Sequence, residues 1–257
     1  MSVRALRPRT APPAAFARLT LNEARLAWRN PRALAMGLGL PVLMLVIFGE
    51  LPYFQRHPAG YRGLTGFDVK VPTLAAMVIA GHAVMGLSLS LAAYREYGIL
   101  RRMSTTPVPR AWVLAAPAVL QFCLVTAELV ILFALAVAAF GLATPQDPGA
   151  LVLSLFLCVA ALFAIGLSIA AVARSSTLPV FAAGVYFPLL FFSGLWIPIA
   201  QMPDVLQHIA TYTPVGAAVQ AIQDSMQGTF PAARALAVMA AWALVFAPVS
   251  RRFFRWE

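Results

Sequence analysis

The sequence predicts an all-α membrane protein, and three observations carry that prediction. Hydrophobic residues make up 61% of the 257 residues and charged residues only 11%, against roughly 45–50% apolar content in a soluble domain. The mean hydropathy is +0.82. The apolar residues fall in long runs, each about the 20 residues a helix needs to cross the hydrocarbon core, and not in the short alternations of a membrane barrel.

The runs place six transmembrane helices at about 33–50, 72–93, 112–140, 150–173, 178–197 and 232–249. Residues 1–32 are then an N-terminal tail with an amphipathic elbow helix, and 33–257 a transmembrane domain. Six spans leave no room for a large soluble domain. Met1 to Pro13, with Arg4, Arg7, Arg9 and three prolines, has the composition of a disordered tail. From Ala14 to Asn30 a helix is predicted, stopped because proline at 31 disfavours the helical region for Asn30.

On that helix Arg18, Asn22, Arg25 and Arg29 share one stripe, while Phe16, Leu19, Leu26 and Ala27 lie on other faces. A helix lying in the membrane surface has this pattern, and a solvated helix is the alternative. Glu23 falls near the apolar side. Pro41, Pro117 and Pro188 sit inside spans, which membrane helices tolerate when neighbouring groups satisfy the freed carbonyls.

Arginine placement sets the orientation. Of 19 basic residues only Arg56, Arg62, Lys70 and Arg234 fall on one side of the six spans, with Lys70 the sole lysine. The positive-inside rule then puts both termini in the cytosol. The polar, proline-containing start does not resemble a cleavable signal peptide, so it is expected to stay there. High Ala and Arg usage points to a GC-rich bacterial genome and its inner membrane.

Two connections stand out. Tyr94 to Ala111 is a short basic cytosolic loop, helical at its start. Ile197 to Pro231 is divided by Pro198, Pro203, Pro214 and Gly216 into apolar segments too short to cross, the pattern of external re-entrant helices before the last span. An ordinary external loop is the other reading, against which stand the apolar Val205-Leu206, Ile209-Ala210 and Val215 to Ile222.

Several chemistries are excluded. A phosphate-binding loop needs lysine after glycine, and Lys70 lies between two valines. His57, His82 and His208 are scattered, no Gly-x-Ser-x-Gly elbow occurs, and no acidic pair lies close together near a cytosolic face. Cys123 and Cys158 lack metal or redox spacing. No catalytic, metal or cofactor site is expected, and no aromatic-interleaved basic run suggests nucleic acid. Glu128, about mid-span, is costly in hydrocarbon, so it faces the protein interior as a functional group or a hydrogen-bonded packing residue. For His82, an interhelical hydrogen bond is favoured over binding substrate or a proton. Tyr186, Phe187, Phe191, Phe192 and Trp196 either line a translocation path or form a packed interfacial cluster.

Two stretches carry a family resemblance. Tyr94-Arg95-Glu96-Tyr97-Gly98-Ile99-Leu100-Arg101-Arg102 followed by Thr106-Pro107-Val108 resembles the cytosolic coupling helix of the membrane subunits of type-2 ATP-binding-cassette exporters, with Ile99 in place of the usual threonine and Arg101 of the usual glutamate. Phe191-Phe192-Ser193-Gly194-Leu195-Trp196-Ile197-Pro198, then Met202-Pro203 and Tyr212-Thr213-Pro214, resembles that family's proline series at the end of the fifth span. The family includes drug, polysaccharide and teichoic-acid exporters.

The resemblance implies a permease without its own ATPase site. ATP and magnesium would be held by a partner ATPase present in two copies, beside a second permease copy, in a homodimer or a heterodimer. It assigns Glu96, Gly98, Arg101, Arg102, Thr106 and Pro107 to ATPase coupling, with Arg25, Trp28 and Arg29 supporting from the elbow. Glu128, Tyr186, Phe187, Phe191 and Trp196 would line the path of an amphipathic, lipid-like or drug-like substrate or a glycoconjugate. An ion-gradient-coupled secondary transporter using Glu128 is the alternative, and a lipid-modifying membrane enzyme a more distant one.

Overall fold

Proline, glycine and short polar caps set the helix boundaries. The computed structural model describes residues 13–57, 64–99, 110–172 and 177–253, and all regular structure among them is helical. Helix α1 (Pro13–Trp28) is followed by α2 (Pro31–Glu50), which starts on a proline, where the missing N–H has no helical partner to lose. Helix α3 (Gly66–Ala80) runs through a π-helical turn (Gly81–Gly86) into α4 (Leu87–Glu96). Then come α5 (Arg110–Phe140), α6 (Pro148–Val172), α7 (Leu178–Phe192), a 3₁₀ turn (Ile199–Gln201), α8 (Asp204–Tyr212), α9 (Pro214–Met226) and α10 (Ala233–Phe253).

Among the described residues four continuous helices are long and apolar enough to cross a membrane: Gly66–Glu96, Ala115–Phe140, Pro148–Val172 and Ala233–Ser250. Helices α2 and α7 add shorter apolar stretches, Gly37–Glu50 and Leu178–Phe192. With so much apolar surface this is a multi-pass membrane protein.

Two boundaries differ from the sequence expectation. The second span begins at Gly66 rather than 72 because a capping box starts it: the Thr65 side chain accepts from the Asp68 N–H (3.1 Å) and Asp68 accepts from the Thr65 N–H (2.8 Å). Asp68 also accepts from the Ala143 N–H at 3.2 Å, tying this end to the segment after α5. Helix α7, the fifth expected span, stops at Phe192, not 197. Ser193 donates its hydroxyl to the Leu190 carbonyl (2.7 Å), and Gly194 turns the chain at φ +81°, a conformation costly for a residue with a Cβ.

The interior is built from α3, the π turn, α6 and α9, where Phe67, Leu74, Ile79, Leu162 and Ile222 are fully buried. Helix α10 packs chiefly against α6, and the Ser168 hydroxyl donates to the Phe246 carbonyl across that contact at 2.8 Å. Helices α5 and α10 bury only 28% and 17% of their apolar windows. Their outward faces therefore suit a hydrocarbon environment rather than water.

Candidate functional site

The π turn is the centre of the polar chemistry inside the bundle. Its defining bond runs from the Leu87 N–H to the His82 carbonyl, five residues back. Such wide turns are rare and concentrate at functional sites. Here the turn touches α3, α4, α5, α6 and α7, and it presents His82 to two polar residues of α5. His82 Nδ1 lies 2.6 Å from Gln121 Oε1, and His82 Nε2 lies 2.9 Å from Glu128 Oε2.

Proton bookkeeping follows from those contacts. With Gln121 presenting its oxygen, Nδ1 must carry a hydrogen. His82 Nε2 faces the Glu128 carboxyl, and pairing two ionisable groups with each other is how an apolar interior tolerates them.

Glycines allow the helices this close. A Cβ on Gly37 of α2 would sit 3.4 Å from Glu128 Oε1, and one on Gly86 would crowd the Gln121 amide at 2.8 Å. A Cβ on Gly166 of α6 would overlap the Ala83 carbonyl of the π turn. The Tyr186 hydroxyl reaches the turn from α7, about van der Waals distance from where a Gly81 Cβ would be.

The Glu96 end of the bundle is a second polar assembly. The Arg95 guanidinium donates from Nη2 to the Ala170 carbonyl at 2.8 Å, in the last turn of α6, where a cation complements the helix dipole. Tyr94 hydrogen-bonds the Glu23 carboxyl of α1. Burial pushes that carboxyl above its ordinary 4.5, and the Tyr94 bond opposes the rise. Two turns away Phe16 packs edge-on against Trp112 with ring centroids 5.7 Å apart. Helix α1 therefore docks on the bundle through Phe16, Leu19, Glu23 and Ala27, while Arg18, Asn22, Arg25 and Arg29 are exposed. Glu23 lies on the apolar side because it has a partner there.

At the opposite end lies Lys70, a buried lysine whose Nζ donates to the carbonyls of Gly194 (2.6 Å) and Leu195 (3.0 Å) and sits 6.0 Å from the Phe48 ring centroid. The Thr73 hydroxyl donates to the Ser193 carbonyl at 3.4 Å. The break after α7 is thereby pinned to α3.

The sequence-derived candidates separate on this frame. Glu96 ends α4, and Gly98 follows it at φ +64°, its N–H donating to the Arg95 carbonyl at 3.0 Å. Gly98 is therefore a turn after the helix rather than a position inside one. Arg101, Arg102, Thr106 and Pro107 lie outside the described residues. Arg25 and Arg29 are exposed with Trp28, which is 82% exposed. Glu128 and Tyr186 converge on the π turn from different helices, whereas Phe187 faces outward at 57% exposure, Phe191 packs on Phe192, and Trp196 lies past the end of α7.

Sequence reasoning passed over Gln121, Lys70 and Gly166. Gln121 lies seven residues before Glu128, two helical turns along the same face, and that spacing was the available signal. Gly166 offered none, because its role depends on what crosses it.

A family model described as ABC-2 type transporter matches residues 14–226. The ycf38 protein of Porphyra purpurea, which carries the name of an inferred transport permease, is 28% identical over 204 residues, covering 76% of this chain and 68% of that protein. The protein of the same name from Pyropia yezoensis is 27% identical over 201 residues, covering 75% and 67%. With the match running from α1 through the end of α9, this chain belongs to the ABC-2 type transporter family.

Proposed function

We propose that this chain is the permease subunit of an ATP-driven exporter, powered by a separate ATPase that holds ATP and magnesium. The observation that carries the reading is the assembly at the Glu96 end. Three connections lead from it into the bundle: Glu23 to Tyr94, Phe16 to Trp112 and Arg95 to the α6 terminus. A force applied to the loop beginning at Gly98 would reach α1, α4 and α6 together, so the loop and the elbow act as levers.

In this reading the loop is cytosolic and binds the ATPase through Glu96, Arg101, Arg102, Thr106 and Pro107, with Arg25, Trp28 and Arg29 at the same interface. Six spans put both termini in the cytosol of a bacterium, with α8 and α9 re-entrant on the far side. Two permease copies and two ATPase copies make the working unit, since six helices are half of a symmetric transporter. The substrate is an amphipathic, lipid-like or drug-like molecule or a glycoconjugate.

The test is purification from native membranes in mild detergent, with mass spectrometry and an ATPase assay on what accompanies the chain. A stoichiometric ATPase lost on charge reversal of Arg102 is expected. Gly98→Pro, which forbids the positive φ, should leave insertion intact but uncouple hydrolysis from export. A chain that purifies alone, without ATPase, overturns the reading.

One observation favours a second reading. His82 and Glu128 form a buried pair of ionisable side chains 2.9 Å apart, the kind of group an ion-coupled carrier requires. Transport that follows the proton gradient, ignores ATP and disappears in Glu128→Gln would establish it.

A further inference from the structure

One cavity lies away from the His82 site and away from the Glu96 end, among the elements that follow α7. It has a volume of about 540 Å³ and is lined by the 3₁₀ turn, α8, α9 and the start of α10. This lies within the roughly 300–1,000 Å³ of small-molecule sites. In a chain so apolar its lining is unusual: Asp204, Gln207, His208, Gln220, Gln223 and Arg234 all face it.

The charges in this cavity are one anion and one cation, and they do not pair with each other. Arg234 instead donates from Nη2 to Gln220 Oε1 at 3.4 Å, while Asp204 opens α8. Gln223 separates this cavity from a smaller one of about 30 Å³ that holds Lys70, and its amide is anchored by donating to the Val69 carbonyl at 3.1 Å. Arg234 therefore supplies the positive charge at the α10 side of the cavity, and Asp204 the negative charge at the start of α8.

Helix α8 is amphipathic across this boundary. Asp204, Gln207, His208 and Thr211 turn to the cavity, whereas Leu206 and Ala210 face the core. Val205, Ile209 and Tyr212 form a third, outward apolar face, with Val205 71% exposed. A polar pocket of separated opposite charges thus lies beside an apolar strip about two helical turns long.

We infer that this cavity binds the headgroup of a zwitterionic amphiphile, its phosphate beside Arg234, Gln220 and Gln223, its ammonium beside Asp204, and its acyl chains along Val205, Ile209 and Tyr212. The site takes from the proposed function only the side of the membrane on which it opens. It needs neither ATP nor a partner to be occupied, so its failure and the failure of the exporter reading are separate results.

The experiment is native mass spectrometry of the purified full chain in neutral detergent, titrated with phosphatidylethanolamine, phosphatidylglycerol or soluble phosphoethanolamine. The wild type should prefer phosphatidylethanolamine over phosphatidylglycerol about tenfold, the size of one charge-assisted contact. Asp204→Asn should abolish that preference by raising phosphatidylglycerol binding relative to phosphatidylethanolamine. Arg234→Gln should weaken both lipids about tenfold. Val205→Ser with Ile209→Ser should weaken lipid binding and leave phosphoethanolamine unchanged. All four positions are exposed, so equal melting temperatures will certify the folded state. Equal binding of the two lipids to wild type, or no response to either charge variant, overturns the site. Phosphoethanolamine binding as tightly as the lipid overturns the acyl-chain assignment.

Discussion

Lys70 and Glu128 are both ionisable side chains buried in the bundle, and the fold accommodates them by opposite means. Lys70 faces backbone carbonyls, Gly194 and Leu195, at the break after α7. Its partners cannot change their charge. Glu128 faces His82, which itself faces Gln121, so its partner is itself an ionisable side chain. The first arrangement is a fixed tether, made of two carbonyls in the turn that follows α7. The second is a pairing of two ionisable side chains. A buried charge against backbone is thus built to hold, and one against another ionisable side chain is built to allow change.

The largest expected effect removes the platform that supports the Glu128 side. Gly166→Val would drive a branched side chain into the Ala83 carbonyl and displace the π turn that carries His82. Overpacking of this kind costs about 3 kcal/mol or more, and fluorescence-detected size exclusion in detergent should show little folded protein. A wild-type profile would mean the turn yields without cost, and the contrast with Lys70 would lose its structural basis.

Next comes the tether itself. Lys70→Met keeps much of the apolar stem but leaves two carbonyls without their donor. With a charged donor lost, the expected destabilisation is about 3 kcal/mol, read as a lower melting temperature in detergent. An unchanged melt would show that these carbonyls find other partners and that Lys70 holds nothing.

The Glu128 pair should divide its two obvious variants. Glu128→Gln keeps an amide within reach of neutral His82 and should cost less than about 1 kcal/mol, whereas Glu128→Ala strands His82 and should cost about 2 kcal/mol. If the two variants melt alike, the contact with His82 contributes nothing and the contrast with Lys70 fails.

The smallest effect concerns Glu23. Its carboxyl is raised above 4.5 in the folded chain, so the docked state holds its proton more tightly than the undocked one. Docking of α1 is then strongest below pH 4.5 and weakens as pH rises through the raised value. Glu23→Gln should remove that dependence and slow hydrogen exchange in α1 at neutral pH, by well under about 1 kcal/mol after solvent screening. An equally steep pH profile in the variant would assign the titration to another group.

Much of the fold was legible because helix boundaries here follow local chemistry. The Asn30-Pro31 stop, the apolar runs and the breakers at Pro203 and Pro214 each act within a few residues. The end of α7 was less legible, since Leu195, Trp196 and Ile197 continue the apolar run beyond Ser193 and hide the turn at Gly194. Glu128 stood out at once because charge is rare in a span. Its partners did not, because His82 comes from another helix 46 positions earlier in the chain and its direction depends on a π turn that no residue pattern announces.

Composition and hydropathy therefore dictate that this chain enters a membrane as helices, and arginine placement favours one orientation, because burying a charge or an unsatisfied peptide group in hydrocarbon is costly wherever it occurs. Pairing is a matter of three-dimensional packing. Which carbonyls meet Lys70, which imidazole meets Glu128, and which charges share a cavity with Arg234 depend on helices crossing at glycines such as Gly166, and proximity between segments far apart in the chain exists only once they pack.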